Sequence, residues 1–412
     1  MSQLEQKVPL DQLVNSGESQ TEAIEIAPRI FMSRDISNVY LVKTGAGDVL
    51  INAGSSRAAD RHQRLFASAG AGVQSLVIIS QSHGDHYGGL AKLKQPQSKL
   101  VVQARYPDGV AYRRMLSDFY VPRTNRLWHL VVGKRMDRSG RPPPEFSPDI
   151  LVEDRLTLRE GDRKFELLAV PGGETLDSLA VWLPEERIVF TGNMLGPAWL
   201  NIPNLNTVRG DKPRSALEFI RSVDRIRSLR PELLVTGHGD PIEGEAQIEE
   251  GLGRIRDAVQ STLDQTIAGM NAGKDIHTLM REVRVPDELE IAEWHGKTAW
   301  NVKAIWHEYA GWFHYDSTTS LYDVPPGAVA GDLVRLAGAE ALADAARDHV
   351  EAGRPLEALH LLDILLAAEP ASESGRVVKR KALNALLKRS DNLNFSEAMW
   401  LRSEIAALDS RD

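Results

Sequence analysis

The chain contains no cysteine. That absence excludes disulfides and thiolate-bound metal, so any transition-metal site must be built from imidazole, carboxylate or amide groups. Positive charge is not in excess either: 49 Lys and Arg stand against 57 Asp and Glu, a formal net charge of −8. A chain without a basic excess has no general affinity for nucleic acid or for an anionic membrane surface. No run of about 18 apolar residues suggests a membrane span. The opening "MSQLEQKVPLDQLVNSGESQ" lacks the basic and apolar segments of a secretory signal, so a cytoplasmic protein is expected. Aromatic residues are few at 6%, but 42% hydrophobic content over 412 residues is enough for two or three domains, or one large domain with an appendage.

What is present falls into regions. Residues 1–23 read as a flexible arm. From Ile24 the runs "EIAPRIFMS", "SNVYLVKT" and "GDVLINAG" are short and β-rich with turn residues between them, as hairpins at a sheet edge are. "DRHQRLFASAG" has helical spacing, and "SLVIIS" and "SKLVVQA" are continuous apolar runs of buried strands. Residues from about 106 to 149 break this rhythm with a basic, aromatic, proline-rich stretch, read either as a substrate-covering insertion or as a surface excursion. Strand signals return in "LVEDRLTLREGDRKFELLAV", "SLAVWLPEERIVFTGN" and "PELLVTGHGD". Two comparable β-rich halves with helices outside predict an α/β fold of the αββα sandwich type. Beyond Pro241 the pattern turns helical. "GAEALADAARDHVEAGRPLEALHLLDILLAAEP" predicts an αα-hairpin, whose apolar faces need a further hairpin or another subunit to cover them.

The chemistry-bearing residues follow strands. In "VIISQSHGDHYGG" a buried strand runs into His83, Asp85 and His86, with Gly84 and the Gly88-Gly89 pair giving the backbone freedom to turn. Ligand sets on such a loop can diverge toward two neighbouring cations. "VPGGETLDS" places Glu174 on a glycine turn between strands, where alone it would read as a solvated carboxylate. "LLVTGHGDP" sets His238 between glycines at another strand end. Strand-end loops on one edge of a sandwich converge in space, so these pieces make one coherent metal site. The remaining histidines have plainer readings. His129, His295, His307 and His314 lie in aromatic-rich stretches as packed, hydrogen-bonded groups, one of them an alternative leaving-group acid. His62, His277, His349 and His360 read as helix-surface residues.

The order of these pieces resembles the metallo-β-lactamase superfamily, whose signature runs His-x-His-x-Asp-His, then a turn ligand, a bridging carboxylate and a final His. The finer resemblance is to its alkylsulfatase branch. "PGGET" offers Glu174, "NLNTVRG" (204–210) is similar to that branch's sulfate-pocket motif, and "EYAGWF" (308–313) to the motif before its helical dimerisation domain. The resemblance implies a metallo-β-lactamase-like catalytic domain over 24–270, with the insertion at about 106–149. An α-helical alkylsulfatase-type dimerisation domain over 271–412 would follow, and with it a homodimer. It also implies zinc, one ion held by Gln81, His83 and Glu174 and the other by Asp85, His86 and His238. The cations would lower the pKa of an attacking water, with Asp85 and Asn193 at the catalytic positions. Asn204, Thr207 and Arg209 would bind an anionic small-molecule substrate with an apolar tail.

Three positions depart from the family pattern. Gln81 stands where a histidine is usual, although some metallo-β-lactamases carry glutamine there and remain zinc enzymes. Asn193 stands where a carboxylate bridges the metals, a loss that Asp177 or Asp211 could compensate. Asn52 stands where aspartate is usual. The site therefore has one complete half and one weakened half, and one or two zinc ions are expected. The leading functional reading is hydrolysis of sulfate esters of apolar alcohols. The alternatives are a carboxylic ester or lactone hydrolase on the same fold, and a metal-depleted binding protein.

Overall fold

The computed structural model describes residues 17–132 and 146–409. Most of the arm expected over 1–23, residues 133–145 of the 106–149 excursion and the side chain of His129 lie outside the described residues. Strands β1 (Ile24–Ala27), β2 (Ile30–Ser33), β3 (Val39–Val42) and β4 (Asp48–Ile51) form the expected antiparallel hairpins. Helix α1 (Ala59–Ser68) leads to β5 (Gln74–Ile78), and two helical turns, α2 (Gly84–Tyr87) and α3 (Leu90–Leu93), lead to β6 (Lys99–Gln103). The excursion is helical over most of residues 106–132, through α4 (Tyr106–Met115) and α5 (Ser117–Val132), before β7 (Ile150–Val152) closes a seven-stranded sheet ordered β1 to β7. A second sheet takes β8 (Arg155–Glu160), β9 (Arg163–Ala169), β10 (Leu179–Leu183), β11 (Ile188–Gly192), β12 (Leu233–Thr236) and β13 (Ile242–Glu243), with α6 (Ala216–Arg227) between β11 and β12.

The two-residue period of the strands decides the layers. In β5, Leu76 and Ile78 join Tyr40, Phe165, Val181 and Phe190 in a core drawn from both sheets. The intervening Val77 and Ile79 pack with Phe66 and Leu90 of the helices outside the first sheet. Across the second sheet, Ala180 and Trp182 face away from that core, toward Phe219 and Val223 of α6 and Leu252 of α7 (Glu245–Asn271). Helix, sheet, sheet, helix is thus the αββα sandwich expected from the alternation. Burying each large apolar side chain of these layers stabilises the fold by about 1.5–3 kcal/mol.

Helices α8 (Ile276–Glu282) and α9 (Thr298–Ala310) follow, then α10 (Ala330–Ala337), α11 (Ala339–Glu351), α12 (Pro355–Ala368), α13 (Glu373–Arg389) and α14 (Phe395–Asp409). The chain divides into two compact units: Met1–Arg123 with Met136–Glu308, and Thr124–Arg135 with Tyr309–Asp412. In the second unit α11 and α12 are the expected hairpin, turning at Gly353 and stopped before Pro370. The further hairpin partner that its apolar faces require is α13, whose Val378 and Ala382 join Ala343, Leu362 and Leu365 in one core. In the same unit the second half of α5 lies against α14: the Trp128 and Phe395 rings are 4.3 Å apart, and Arg126 lies 3.9 Å over Trp400. No helix of the described residues is long and apolar enough to cross a membrane.

One sequence expectation is corrected. His62 is fully buried at 0% exposure, not on a helix surface. Its Nδ1 lies 2.6 Å from Ser33 Oγ and its Nε2 lies 3.6 Å from Asp35, so the buried face of α1 carries a polar anchor as well as Leu65 and Phe66. His277 and His360 are exposed and His349 is half-buried.

Candidate metal centre

The site lies where β5, β9, β11 and β12 end. After Ile79 and Ser80 the chain leaves the sheet, and His83, in extended conformation, caps the short helix α2 that carries Asp85 and His86. Asn52, with a positive φ of 61°, anchors this exit: its Oδ1 accepts the Ser80 N–H at 2.9 Å. The β9–β10 loop brings in Glu174. A Cβ on Gly173 would collide with the Met194 carbonyl, so only glycine lets this turn lie flat on the next loop. Gly237 is constrained in the same way by Asn193 Oδ1 and His86. The β2–β3 loop holds the His238 turn from the other side, Asn38 donating through its backbone N–H to Gly237 O and through Nδ2 to Gly239 O, both at 2.8 Å.

Asp85, His86 and His238 come together as one group, with ligand atoms all within 4.8 Å of one another. His86 Nε2 is 3.7 Å and His238 Nε2 is 4.0 Å from Asp85 Oδ2. Donors around a tetrahedral zinc, each about 2.0–2.2 Å from the ion, stand roughly 3.3 Å apart, so these three need close by no more than about 1.5 Å to hold one. The tautomers agree. His238 Nδ1 faces the Ile36 carbonyl, which can only accept, so Nδ1 carries the proton and Nε2 keeps its lone pair for a cation. His86 Nδ1 has the Ser80 and Ser37 hydroxyls, both at 3.1 Å, to take its proton, and the Ser37 hydroxyl lies equally close to Nε2. Burial holds the His86 pKa down to about 3, so the ring is neutral, with an unprotonated nitrogen, at neutral pH. Burial works to raise the Asp85 pKa, but the neighbouring His86 and His238 outweigh it and keep the group a carboxylate. These residues fit a divalent cation.

Gln81, His83 and Glu174 have different partners. Gln81 Oε1 accepts the Asn193 N–H at 3.2 Å, and that bond fixes the amide so that Nε2 donates to His83 Nδ1 at 2.7 Å. A ring that accepts at Nδ1 carries its proton on Nε2, and Nε2 lies 3.6 Å from Asp211 Oδ2. Glu174 Oε2 lies 3.4 Å from Arg214 Nη2, and its Oε1 lies 3.5 Å from His295 Nε2. Arg214 Nη2 is also 3.6 Å from Asp211 Oδ2, which Arg113 approaches at 2.9 Å and to which Tyr112 Oη donates through the other oxygen. Burial pushes the Asp211 and Glu174 pKa values up. The His83 contact with Arg113 and Arg214 for the first, and Arg214 with His295 for the second, outweigh it and hold both well below the ordinary carboxylate range. Asp211, named from sequence as a possible compensating acid, is therefore in the site. Asp177 instead accepts from Ser82 Oγ at 3.1 Å. As these side chains stand, they do not fit a second cation.

The 204–214 loop completes the site. Arg214 donates through Nη1 to the Asn204 carbonyl, while both polar atoms of the buried Asn204 side chain and Thr207 Oγ1 have no hydrogen-bond partner. Burial lowers the Arg209 pKa, against the attraction of Asp211. Arg123 of α5 donates to the Arg209 and Val208 carbonyls, so the helical excursion clamps this loop. Asn193 Oδ1 is likewise buried without a partner. Sequence reasoning missed Arg113, Arg214 and the role of Ser80. The one available signal was the position of Arg214, five residues after Arg209 in "RGDKPR".

The family model of the metallo-beta-lactamase superfamily matches residues 32–238. The chain belongs to that superfamily. A second family model, alkyl sulfatase dimerisation, matches residues 275–404 and sets the chain in the alkylsulfatase-like branch. A linear primary-alkylsulfatase of a Pseudomonas species is 28% identical over 257 residues, covering 61% of this chain and 48% of the relative. An (R)-specific secondary-alkylsulfatase, also from Pseudomonas, is 24% identical over 94% of this chain and 63% of its own length. The solved structure of the stereoselective inverting sec-alkylsulfatase Pisa1 from Pseudomonas has the same fold, with a TM-score of 0.82 at 19% identity over 94% of this chain and 66% of that one. The chain spans about half to just under two-thirds of the length of these curated relatives.

Proposed function

We propose that the chain is a metal-dependent hydrolase that cleaves sulfate esters of apolar alcohols. The observation that carries this reading is the pairing of the Asp85–His86–His238 group with a neighbouring loop whose Asn204 amide and Thr207 hydroxyl are buried without protein partners. Zinc is the cation proposed, because the donors are two imidazoles and a carboxylate and three protein ligands leave a position open. When bound, such an ion supplies Lewis-acid charge and lowers the pKa of a water to near neutrality. The chain's own residues do the rest. Arg209 offers a planar, charge-assisted fork to the sulfate oxygens, and Asn204 and Thr207 offer an amide and a hydroxyl. Hydrolysis then adds water across the ester and releases the alcohol and sulfate. Exposed Met115, Leu116 and Phe119, at the α4–α5 junction beside the loop-clamping Arg123, offer apolar surface for the tail.

We assign the chemistry to 24–270 and association to 271–412. The dimerisation match and the exposed Trp312, Tyr315, Tyr322 and Leu336 of the helical unit support a homodimer. A monomeric mass in solution at micromolar concentration would count against that part.

The test measures sulfate release from a medium-chain alkyl sulfate by zinc-loaded protein, beside hydrolysis of a neutral carboxylic ester. Arg209→Ala should lower kcat/KM on the sulfate ester by about 100-fold, since it strips a charged partner from a buried anion. Turnover of the neutral ester that survives this change, with none of the sulfate ester, would transfer the reading to acyl substrates. Metal-loaded protein inert toward both would leave a binding protein.

A further inference from the structure

We infer that the chain holds a single cation, at Asp85–His86–His238, and that the neighbouring position, where the family's second metal is expected, is taken by the guanidinium of Arg214 between Glu174 and Asp211. This inference rests on the proposed reading only in taking the first position as a metal site. Three observations carry it. Among the described residues, Asp85, His86 and His238 form the only group of three or more His, Asp or Glu side chains close enough to share an ion; His83, Glu174 and Asp211 do not form one. The candidate ligand atoms of the weak half are turned to other tasks. Gln81 uses its oxygen on the Asn193 N–H and its nitrogen on His83, which leaves the proton of His83 on the Nε2 that would have to ligate.

Charge gives the third observation. Arg214 has a side chain only 1% exposed, and its Nη2 lies 3.4 Å from Glu174 Oε2 and 3.6 Å from Asp211 Oδ2. The nearest carboxylates thus already face a fixed positive charge, and Arg113 adds another on Asp211 at 2.9 Å. A divalent ion entering here would meet two guanidinium groups at short range in a site from which water is largely excluded, where repulsion is least screened. Asn193, where a bridging anion would offset such a pair of cations, carries no charge. The weak half is therefore a protein-borne substitute for a metal. Arg214 Nη2 and His83 Nε2, both buried without hydrogen-bond partners, are donors available to substrate oxygens.

The test uses the full chain, freed of metal by chelator and titrated with cobalt(II), with bound metal counted by elemental analysis and the ion followed by optical absorption and electron paramagnetic resonance. One tightly held ion per chain with the spectrum of an isolated high-spin centre is expected. Two tightly held ions with a spin-coupled signal would overturn the inference while leaving the hydrolase reading intact. No tightly held ion would overturn both. One ion without sulfate-ester turnover would sustain the inference and remove the reading. Arg214→Met should raise the affinity of a second ion at least ten-fold, and an unchanged second equivalent in a folded variant would refute the blocking role. Should that variant fail to fold, the wild-type stoichiometry decides alone.

Discussion

The two halves of the site each set histidine beside a carboxylate at strand ends, and they differ in where the imidazole keeps its proton. In one half His238 gives its Nδ1 proton to the Ile36 carbonyl, so its Nε2 is free beside Asp85. In the other half His83 receives a hydrogen bond at Nδ1 from Gln81, so its Nε2 is protonated beside Asp211. A carbonyl can only accept, whereas an oriented primary amide can also donate, and that single difference leaves one ring with a lone pair beside Asp85 and makes the other a hydrogen-bond donor. The metal-binding capacity of a histidine is thus decided by the atom behind it as much as by the ring.

The comparison can be broken most directly at His238. His238→Ala should abolish tight metal binding, weakening it by about 1,000-fold or more, because it removes one of only three protein donors. Metal content after gel filtration reads this. Retention of the ion in that variant would mean that the complete half is not the binding half.

Next in size is Asp211→Asn, which leaves Arg113 and Arg214 facing a neutral amide. Breaking such a buried pair costs about 3–5 kcal/mol of folding stability at neutral pH, read as a lower denaturation midpoint in urea. The sign with pH follows from the depressed Asp211 pKa. Its contribution is fully present above the ordinary carboxylate pKa of about 4 and is lost as pH falls through the folded-state value. The gap between wild type and variant should therefore begin to shrink as pH falls below about 4 and go on shrinking into strong acid. A gap that stays constant down to pH 3 would argue that Asp211 is not an ion-pair partner.

Smaller still is Ser80→Ala, which removes one of the two hydroxyls at 3.1 Å from His86 Nδ1 and leaves that of Ser37. Loss of such an outer partner weakens metal binding by about ten- to 100-fold without removing a ligand, a shift that competition with a chelating dye resolves. The smallest effect on metal is expected at Gln81. Gln81→Leu should leave the count at the Asp85–His86–His238 group unchanged while releasing His83 Nδ1 and the Asn193 N–H. If the variant loses its metal as His238→Ala does, the two halves are not distinct.

Much of the architecture was legible because strands announce themselves locally. The continuous apolar run ending at Ile79, the alternation in "SLAVWL" and the hairpins from Ile24 each depend on residues near in sequence, and the αββα layering follows from their period. The αα-hairpin at 339–368 was readable for the same reason. His62 was misplaced because a helical pattern shows which face is apolar, and it does not show that Ser33 and Asp35 wait behind that face to satisfy a buried imidazole. The 106–149 excursion hid its helices because Pro122 and its basic residues obscure periodicity, and its clamp on the 204–214 loop joins residues more than 80 positions apart.

The same division holds at the centre itself. The sequence by itself determined that any metal site of a cysteine-free chain would use histidines and carboxylates, and it singled out Asp85, His86 and His238, because these residues sit on turns at strand ends whose direction the adjoining strands dictate. Only the tertiary structure decided that Arg214 and Asp211 enter the other half, and which way the Gln81 amide faces. That orientation is set by a backbone N–H 112 residues away, at Asn193. Hydrogen-bond polarity is a property of what the fold brings face to face, and no spacing along the chain encodes it.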